Sequence, residues 1–284
     1  MSGTTVSRAV LLCSAALAVG VSQGTAARAE DPGTAPRGEP PTMAEDSGWS
    51  GYVALGAVAI PDYEGSKDYQ AAPLIGAQLG YGSYYLEIQG LELRANVSPL
   101  SRWEFGPIVG LRGGRDDVKN DRVDALRDID DTVEVGAFIK VSLYELVHPS
   151  DELAFGVDVK TGTSNDGKGT TVSLGPTYSF SPLERLRLGL GISATFADGD
   201  YADTYFGIDG ADALRSGLSP YDPDGGLKDI GISLEAGYQL TEHWGIMGFA
   251  GYTRLVGDAA DSPIVDDEGS AGQGIVGLAA MYRF

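Results

Sequence analysis

From Trp49 to Phe284 the chain is built of segments of about ten residues in which apolar and polar side chains alternate, a pattern typical of membrane-spanning barrel strands. In Arg185–Phe196, leucine, isoleucine, alanine and phenylalanine occupy the even positions, and arginine, glycine, serine and threonine the odd ones. Side chains of a strand point alternately to its two faces, so this period of two predicts strands with one apolar and one polar face.

Eleven such segments can be placed by working backwards from Phe284. They cover residues 49–60, 70–81, 84–97, 103–114, 132–144, 152–162, 170–180, 185–196, 228–240, 243–256 and 272–284. Bacterial single-chain barrels have even strand numbers. Within Tyr84–Val97 the apolar phase changes at Gln89-Gly90, which indicates a bulge or a break between two short strands. We therefore predict an all-β antiparallel transmembrane barrel of about 12 strands, with 10 as the alternative.

The last segment, Gly274–Phe284, alternates strictly and ends on an aromatic residue. It resembles the closing strand of an outer-membrane barrel, so Tyr282 and Phe284 are the predicted insertion signal and the barrel-insertion machinery a predicted partner. The alternative is an edge strand of a soluble β-sandwich. Charged residues in mid-strand favour a barrel with a polar interior. Those predicted to face inward are Glu134, Lys140, Asp158, Lys160, Arg185, Arg187 and Glu235.

Connections alternate between short and long. The short ones are 98–102, 145–151, 181–184 and 241–243, and the long ones are 115–131, 197–228 and 257–271. Since the last strand of an outer-membrane barrel ends in the periplasm, the short turns are predicted to be periplasmic and the long loops external. Much of the acidic charge lies in the long loops, which we expect to form a solvated surface.

The N-terminal region has the pattern of an exported protein. Residues 1–29 combine a basic start, an apolar stretch and a small-x-small cleavage site at Ala27 and Ala29, which predicts a signal peptide. Residues 30–48 are rich in proline and acid and predict a disordered periplasmic leader. Residues 49–284 form the predicted barrel in the outer membrane. The single cysteine, Cys13, lies within the signal peptide, so the mature chain is predicted to lack thiol chemistry.

Charge and composition narrow the function. The net charge of −20 argues against binding nucleic acid, and the predicted surroundings are outer-membrane lipid and lipopolysaccharide. The two histidines, His148 and His243, fall in predicted turns, without the serine–carboxylate pattern of a nucleophilic site. Asp222–Gly226 lacks the further ligands of a calcium loop. We predict neither an enzyme nor a cofactor or metal site.

Several short motifs resemble one known family. Pro61–Ser66, which alone predicts a hairpin connection, opens the series. Further motifs follow in the family's order at residues 113–116, 128–136, 205–208, 216–221, 226–229, 257–264 and 282–284. In this set and order, residues 49–284 are similar to the MipA/OmpV family of outer-membrane proteins, named for an MltA-interacting member. The family-motif residues are Pro61, Asp62, Tyr63, Gly65, Ser66, Gly114, Arg115, Tyr205, Phe206, Gly207, Asp258, Ser262 and Pro263.

The resemblance implies an outer-membrane scaffold that holds a lytic transglycosylase near a murein synthase, and so implies periplasmic murein enzymes as partners. Such a protein needs a periplasmic face rather than an active site. Two alternatives stay open. The inward-facing charges could line a narrow porin-like pore, or the long acidic loops could serve a surface receptor or adhesin.

Overall fold

The computed structural model describes residues 48–164 and 167–284. The predicted signal peptide, its cleavage site at Ala27 and Ala29, and the predicted leader up to residue 47 lie outside the described residues. Twelve antiparallel strands form one closed barrel in which each strand pairs with the next and the last pairs with the first. They are β1 Trp49–Pro61, β2 Tyr69–Tyr81, β3 Tyr84–Gln89, β4 Glu92–Asn96, β5 Trp103–Arg112, β6 Thr132–Tyr144, β7 Glu152–Gly162, β8 Thr170–Leu183, β9 Leu186–Ala197, β10 Gly226–Gln239, β11 Trp244–Leu255 and β12 Gly272–Arg283.

The strands whose sequence alternates strictly point their apolar face outward, as the alternation predicts. On β9, Ile192 is 57% exposed and Phe196 is 43% exposed, whereas Thr195 between them is buried. On β6, Val133 and Val135 are exposed and Glu134 is buried. An outward apolar band is the arrangement that suits a strand wall surrounded by lipid.

The phase change in Tyr84–Val97 is a break between two strands. Gly90 lies between β3 and β4 with a φ of 60°, a conformation that favours glycine. Gln89 pairs with Glu92 across the resulting tight hairpin. The prediction of 12 strands is therefore confirmed, and the alternative of 10 is wrong.

The seam between β1 and β12 closes the barrel. Its register pairs Tyr52 with Arg283 and Ala59 with Val276, and the backbone N–H of Phe284 donates to the carbonyl of Gly51 over 3.1 Å. The strands approach closely at Gly56, where a Cβ would lie 2.0 Å from the carbonyl oxygen of Leu278. Glycine is thus required at this point of the seam.

The two ends of the barrel differ strongly. The turn end carries the short connections around residues 82–83, 97–102, 145–151, 184–185 and 240–243. The cap end carries the long connections 62–68, 113–131, 198–225 and 256–271, which we call the cap. The cap contains five short helices: α1 Asp121–Asp124, α2 Gly199–Phe206, α3 Gly210–Ser216, α4 Gly257–Asp261 and α5 Pro263–Asp266. None of the described helices is long and apolar enough to cross a membrane.

One predicted turn is shorter than expected. Strand β8 continues to Leu183 through an irregularity in its pairing with β9 after Phe180, so only Glu184 and Arg185 remain between the strands. Arg185 is exposed there, and its guanidinium lies 3.5 Å from the carbonyl oxygen of Leu240. The prediction that Arg185 faces the interior is therefore wrong.

Candidate functional site: a charged lumen closed by a folded cap

Ion pairs cross the middle of the lumen. Arg94 on β4 bonds Glu92 and donates to Asp158 on β7 over 2.6 Å. Lys160 lies 3.1 Å from Glu92. These side chains are largely buried, and in a medium of low dielectric constant each charge needs such a partner. The predicted inward orientation of Asp158 and Lys160 is confirmed.

A second cluster lies toward the turn end. Lys140 on β6 pairs with Glu104 on β5 over 2.8 Å and lies 4.0 Å from Glu152 on β7. Glu152 also accepts from Arg187 on β9 over 3.3 Å, and Tyr85 donates to Glu104 over 2.6 Å. The inward-facing charges of β5, β6, β7 and β9 therefore neutralise one another across the lumen.

The other parts of the lumen wall are apolar or lined by small residues. The wall from β11 through β12 and β1 to β2 is apolar and includes Tyr52, Ala54, Val58, Ile60, Ala72, Leu74, Met247, Phe249, Ile275, Ala279 and Met281. The wall of β8, β9 and β10 presents small residues such as Ser173, Gly191 and Ser233. A cavity of about 130 Å³ lies between these three walls. Glu235 faces this interior from β10, where it interacts electrostatically with Glu87 and Arg187.

The cap has a hydrophobic core of its own. One cluster consists of Tyr63, Val123, Leu126, Ile208, Leu218 and Ile264, and a second of Ile129, Ala197, Tyr201, Tyr205, Phe206, Leu255, Ala259 and Val265. Most acidic residues of the long loops are exposed, as predicted for a solvated surface, but Asp212 is fully buried beside Arg127 and Arg215. The loops carry enough scattered apolar side chains to bury a core, although these follow no strand or helix period.

The first family motif joins the β1–β2 loop to β12 and to the loop before it through hydrogen bonds. The amide of Gly65 donates to the Gln273 side chain over 3.2 Å, and the carbonyl of Gly65 accepts from the Ser270 amide over 2.8 Å. Gly65 has a φ of 93°, so a side chain here would be strained. The carbonyl of Ser66 accepts from Gln273 over 3.1 Å. The motif thus closes a loop onto another part of the cap and is more than a hairpin connection.

Arg115, Tyr205, Phe206 and Ser262 meet in the same cap, although they are far apart in the sequence. Arg115 is buried and donates to the carbonyl of Tyr205 at the end of α2 over 2.9 Å. Burial, together with the neighbouring charge of Arg127, lowers the pKa of Arg115 to about 10. Ser262 donates to the carbonyl of Phe206 over 2.7 Å and caps the start of α5. Carbonyl groups left open at the end of α2 therefore receive side-chain donors.

The remaining motif residues shape the backbone of the cap. Asp62 accepts from the amide of Lys119 over 2.9 Å, and Asp258 from the amide of Asp224 over 2.7 Å. A Cβ on Gly114 would lie 1.8 Å from the carbonyl oxygen of Ile129, and one on Gly207 2.4 Å from that of Asp203. Pro61 ends β1, and Pro263 occupies the first turn of α5, where proline is favoured.

The cap closes its end of the lumen. The guanidinium of Arg112 bonds Glu134 and lies 4.5 Å and 5.3 Å from the ring centres of Tyr201 and Tyr205 on α2. Glu64 pairs with Lys228 and accepts from Tyr201 over 2.7 Å. Burial raises the pKa of Glu64, but Lys228 and Tyr201 outweigh it and hold that pKa below its ordinary value. Helix α2 is thus held over the lumen by charged and aromatic contacts from both the wall and the first motif loop.

At the turn end, one carboxylate organises the 145–151 turn. Asp151 accepts from the amides of Leu146, Val147 and His148 at 2.7, 2.8 and 2.9 Å, and from Tyr178 at 3.0 Å. Ser150 accepts from the amide of Ser181 over 2.9 Å, which joins this turn to β8. The turn consequently presents Val147, 87% exposed, and Leu146, 51% exposed, on an ordered backbone.

These contacts make the turn sensitive to acid. Burial raises the pKa of Asp151, but the three amides outweigh it and lower the pKa to about 2. A carboxyl whose folded pKa lies below its ordinary value of about 3.9 stabilises the fold above that value and loses its contribution as the pH falls toward 2. We expect hydrogen exchange at the amides of Leu146, Val147 and His148 to accelerate between about pH 4 and pH 2 beyond the intrinsic pH trend. In Asp151→Asn this extra acceleration should disappear; its persistence would contradict the role given to the carboxylate.

The closed barrel with its outward apolar band is that of an outer-membrane β-barrel protein, as the sequence predicts. The sequence pattern of the family described as MltA-interacting protein MipA matches residues 53–284, so the chain belongs to this family. The resemblance drawn from the motifs is confirmed.

Individual relatives are similar over shorter segments. The putative outer membrane protein YiaT of Escherichia coli strain K12 is 34% identical over 84 residues, which are 30% of this chain and 34% of that protein. The MltA-interacting protein of the same strain is 30% identical over 94 residues, 33% of this chain and 36% of that protein. The matched segments span about a third of the length of these curated relatives. Among solved structures, an outer membrane channel from Pseudomonas putida F1 has a TM-score of 0.43 at 14% identity, covering 87% of this chain and 100% of that one.

Proposed function

We propose that this protein is an outer-membrane scaffold whose turn end lies in the periplasm and binds a murein-remodelling enzyme of the lytic transglycosylase type. Membership of the MipA family carries the proposal, since a relative in that family is named for its interaction with MltA. A murein synthase held beside the transglycosylase would complete the assembly.

The turn end supplies a suitable contact surface. Val147 and Leu146 are 87% and 51% exposed on the 145–151 turn, and Leu183 is 62% exposed at the end of β8, which Ser150 joins to this turn through Ser181. Because the backbone of the 145–151 turn is already ordered, a partner that covers these apolar side chains need not pay for ordering the loop. We therefore place the partner contact on this turn and the adjoining end of β8.

The lumen supports a scaffold better than a pore. Most of its charges are paired across the interior, and the cap is fastened over one end by the Lys228–Glu64 pair and by the contacts of Arg112 with Tyr201 and Tyr205. Ion flow would require these pairs to separate, which is costly for buried charges.

Direct binding tests the scaffold. We expect the protein in lipid nanodiscs to bind the soluble part of an MltA-type transglycosylase, and the double substitution Leu146→Asp and Val147→Asp to weaken binding at least about tenfold, since buried apolar anchors dominate such contacts. Binding can be measured by biolayer interferometry.

The matched control is Leu214→Asp, which places the same charge on an 89% exposed leucine of the cap. Its affinity should equal that of the unaltered protein. The scaffold is excluded if the unaltered protein, shown to be folded by heat-modifiable migration, binds no transglycosylase. Equal weakening by both changes would exclude the turn-end location.

A further inference from the structure

The barrel wall is incomplete beside the β3–β4 hairpin. Strand β2 pairs with β3 only from Gly76 to Tyr81, although it continues up to Tyr69 along β1. On the other side, β4 pairs with β5 from Glu92 to Arg94. Within residues 48–164 and 167–284, no strand pairs with residues 69–74 on the side facing β5. A window therefore separates the upper part of β2 from the upper end of β5.

The borders of this window are well ordered. Below it, the hairpin tip is fixed by hydrogen bonds from Gly90 to the carbonyl of Ile75, 2.8 Å, and from Leu111 to the carbonyl of Leu91, 3.1 Å. Above it, the Lys119 ammonium donates to the carbonyl of Tyr69 over 2.5 Å. The window is thus bounded above and below, and between these borders no strand pairing closes the wall.

Its depth places it within the membrane. The six residues of β3 extend about 20 Å, and a strand tilt of about 40° reduces the rise to about 15 Å above the turn end. The apolar band of such barrels is about 25 Å tall. The window therefore faces the leaflet on the cap side.

The backbone along the window must remain hydrated. Successive residues of a strand direct their backbone groups to opposite sides, so Ala71 and Pro73 face the same side as Ile75. Pro73 brings no N–H to this edge, which removes one unpaired donor. Unpaired backbone groups at membrane depth are tolerated where they line a water-filled opening. A molecule that carries a polar group can therefore occupy the window more favourably than a pure hydrocarbon can.

The window leads into the lumen cavity. Leu74, Gln89, Gly90 and Glu92, which border it, also line that cavity. Beyond these residues, two of the three walls of the cavity differ in polarity. Leu74 and Phe249 belong to the apolar wall, whereas the charged residues lining the cavity are the acids Glu87, Glu92, Glu104, Glu152 and Asp158 and the bases Arg94, Lys140 and Lys160.

The excess charge is acidic and centres on Glu87. This carboxylate is 5% exposed, lines the cavity and accepts a long hydrogen bond of 3.4 Å from Tyr52. Among the described residues it forms no salt bridge, whereas the other four acids of the cavity do. Arg94 and Lys140 act on Glu87 only from beyond salt-bridge distance, so this buried carboxylate favours a ligand that brings a cation into direct contact.

We propose that the window admits single-chain amphiphiles with an amine head group from the membrane into the lumen, where Glu87 binds the ammonium and the Leu74–Phe249 wall takes the chain. The proposal is independent of the scaffold function. It accounts for the short length of β3 and β4, which end about halfway along the barrel wall.

Cysteine labelling tests the path. In a chain carrying Cys13→Ser, which has no other cysteine, Leu74→Cys points into the lumen and Ile75→Cys points to lipid. We expect bilayer-dissolved dodecylmaleimide to label both cysteines in nanodiscs.

A longer hairpin is designed to fill the window. It inserts Thr-Thr after Gln89 and Thr-Thr before Glu92, together with Pro73→Thr, and so keeps the inward and outward faces of both strands in phase.

The lengthened hairpin should slow labelling of Leu74→Cys at least about tenfold and leave Ile75→Cys unchanged, whereas Pro73→Thr alone should affect neither. Heat-modifiable migration verifies that each variant is folded, and Leu91→Trp narrows the same window without an insertion. If neither the lengthened hairpin nor Leu91→Trp slows labelling in folded protein, the window is not the path.

Protection identifies the head group. At equal bilayer concentrations, decylamine should slow labelling of Leu74→Cys by about tenfold, as expected for a charge-assisted hydrogen bond, while decanol and decanoate have little effect. In Glu87→Gln, decylamine should protect no better than decanol. Equal protection by all three compounds in the unaltered lumen, or stronger protection by decanoate, would overturn the assignment of an amine.

Discussion

Replacing Tyr63 with alanine is expected to unfold the cap while the barrel stays closed. Tyr63 is 2% exposed and joins the first motif loop to Val123 of α1 and Ile264 of α5. Removing a buried aromatic side chain costs about 3–5 kcal/mol. The cap consists of short helices between strands and has little stability of its own to offset that loss.

Limited trypsin digestion measures this effect, because Lys119, Arg122 and Arg127 lie in the cap. Cleavage there should accelerate about 100-fold or more when the open form is in rapid equilibrium with the closed one. Leu214→Ala removes a large side chain that is 89% exposed in the same cap and should leave the rate unchanged. Heat-modifiable migration of the cleaved Tyr63→Ala protein should persist. A cap as resistant as the unaltered one would show that the Tyr63 cluster does not hold it.

Loss of the Glu134 carboxylate is expected to produce the second large effect, this time in the barrel. Glu134 is 2% exposed, bonds Arg112 and lies 3.8 Å from Lys160. Glu134→Gln keeps the shape but removes the negative charge beside Arg112, whose guanidinium also contacts the rings of Tyr201 and Tyr205 on α2. Breaking one partner of a buried pair costs about 3–5 kcal/mol, and we expect the free energy of unfolding in urea to fall by that amount.

Two control variants distinguish the loss of the Arg112–Glu134 pair from the general effect of changing a charged residue. The double variant Arg112→Met with Glu134→Leu removes both charges and should recover most of the loss, because replacing a whole buried pair by apolar groups is often neutral. Glu184→Gln alters an exposed acid in a turn and should change little. A loss below about 1 kcal/mol in Glu134→Gln would mean that water reaches this pair and screens it.

Strands could be predicted from the sequence because their signal is local. Outward residues such as Ile192 and Val133 meet lipid whichever strand lies beside them, so a period of two is sufficient. The break at Gln89-Gly90 was visible for the same reason, since a change of phase cannot be accommodated in one straight strand. Arg185 was misplaced because an irregularity after Phe180 extends β8, and such irregularities leave no periodic trace.

The cap could not be predicted in this way. Its core joins Tyr63, Leu126, Ile208 and Ile264, which belong to four separate loops and follow no common period. The motif residues were recognised, but their shared location depends on the barrel bringing those loops to one end. The ion pairs of the lumen could be predicted in part. Alternation predicts that Lys140 points inward, whereas the choice of Glu104 as its partner depends on the register between β5 and β6.

The seam between β1 and β12 determines the order in which the protein can assemble. Every other pairing joins consecutive strands, but Tyr52 and Arg283 meet across more than 200 residues. Closing such a long loop costs more conformational entropy than pairing neighbouring strands, so we expect the seam to form last. Until that step β1 keeps a free edge that could pair with another chain, so the cell must shield it during transit. When closure comes, the missing side chain of Gly56 opposite Leu278 and Ala279 selects one register, because a slip by one residue would press a side chain against the backbone.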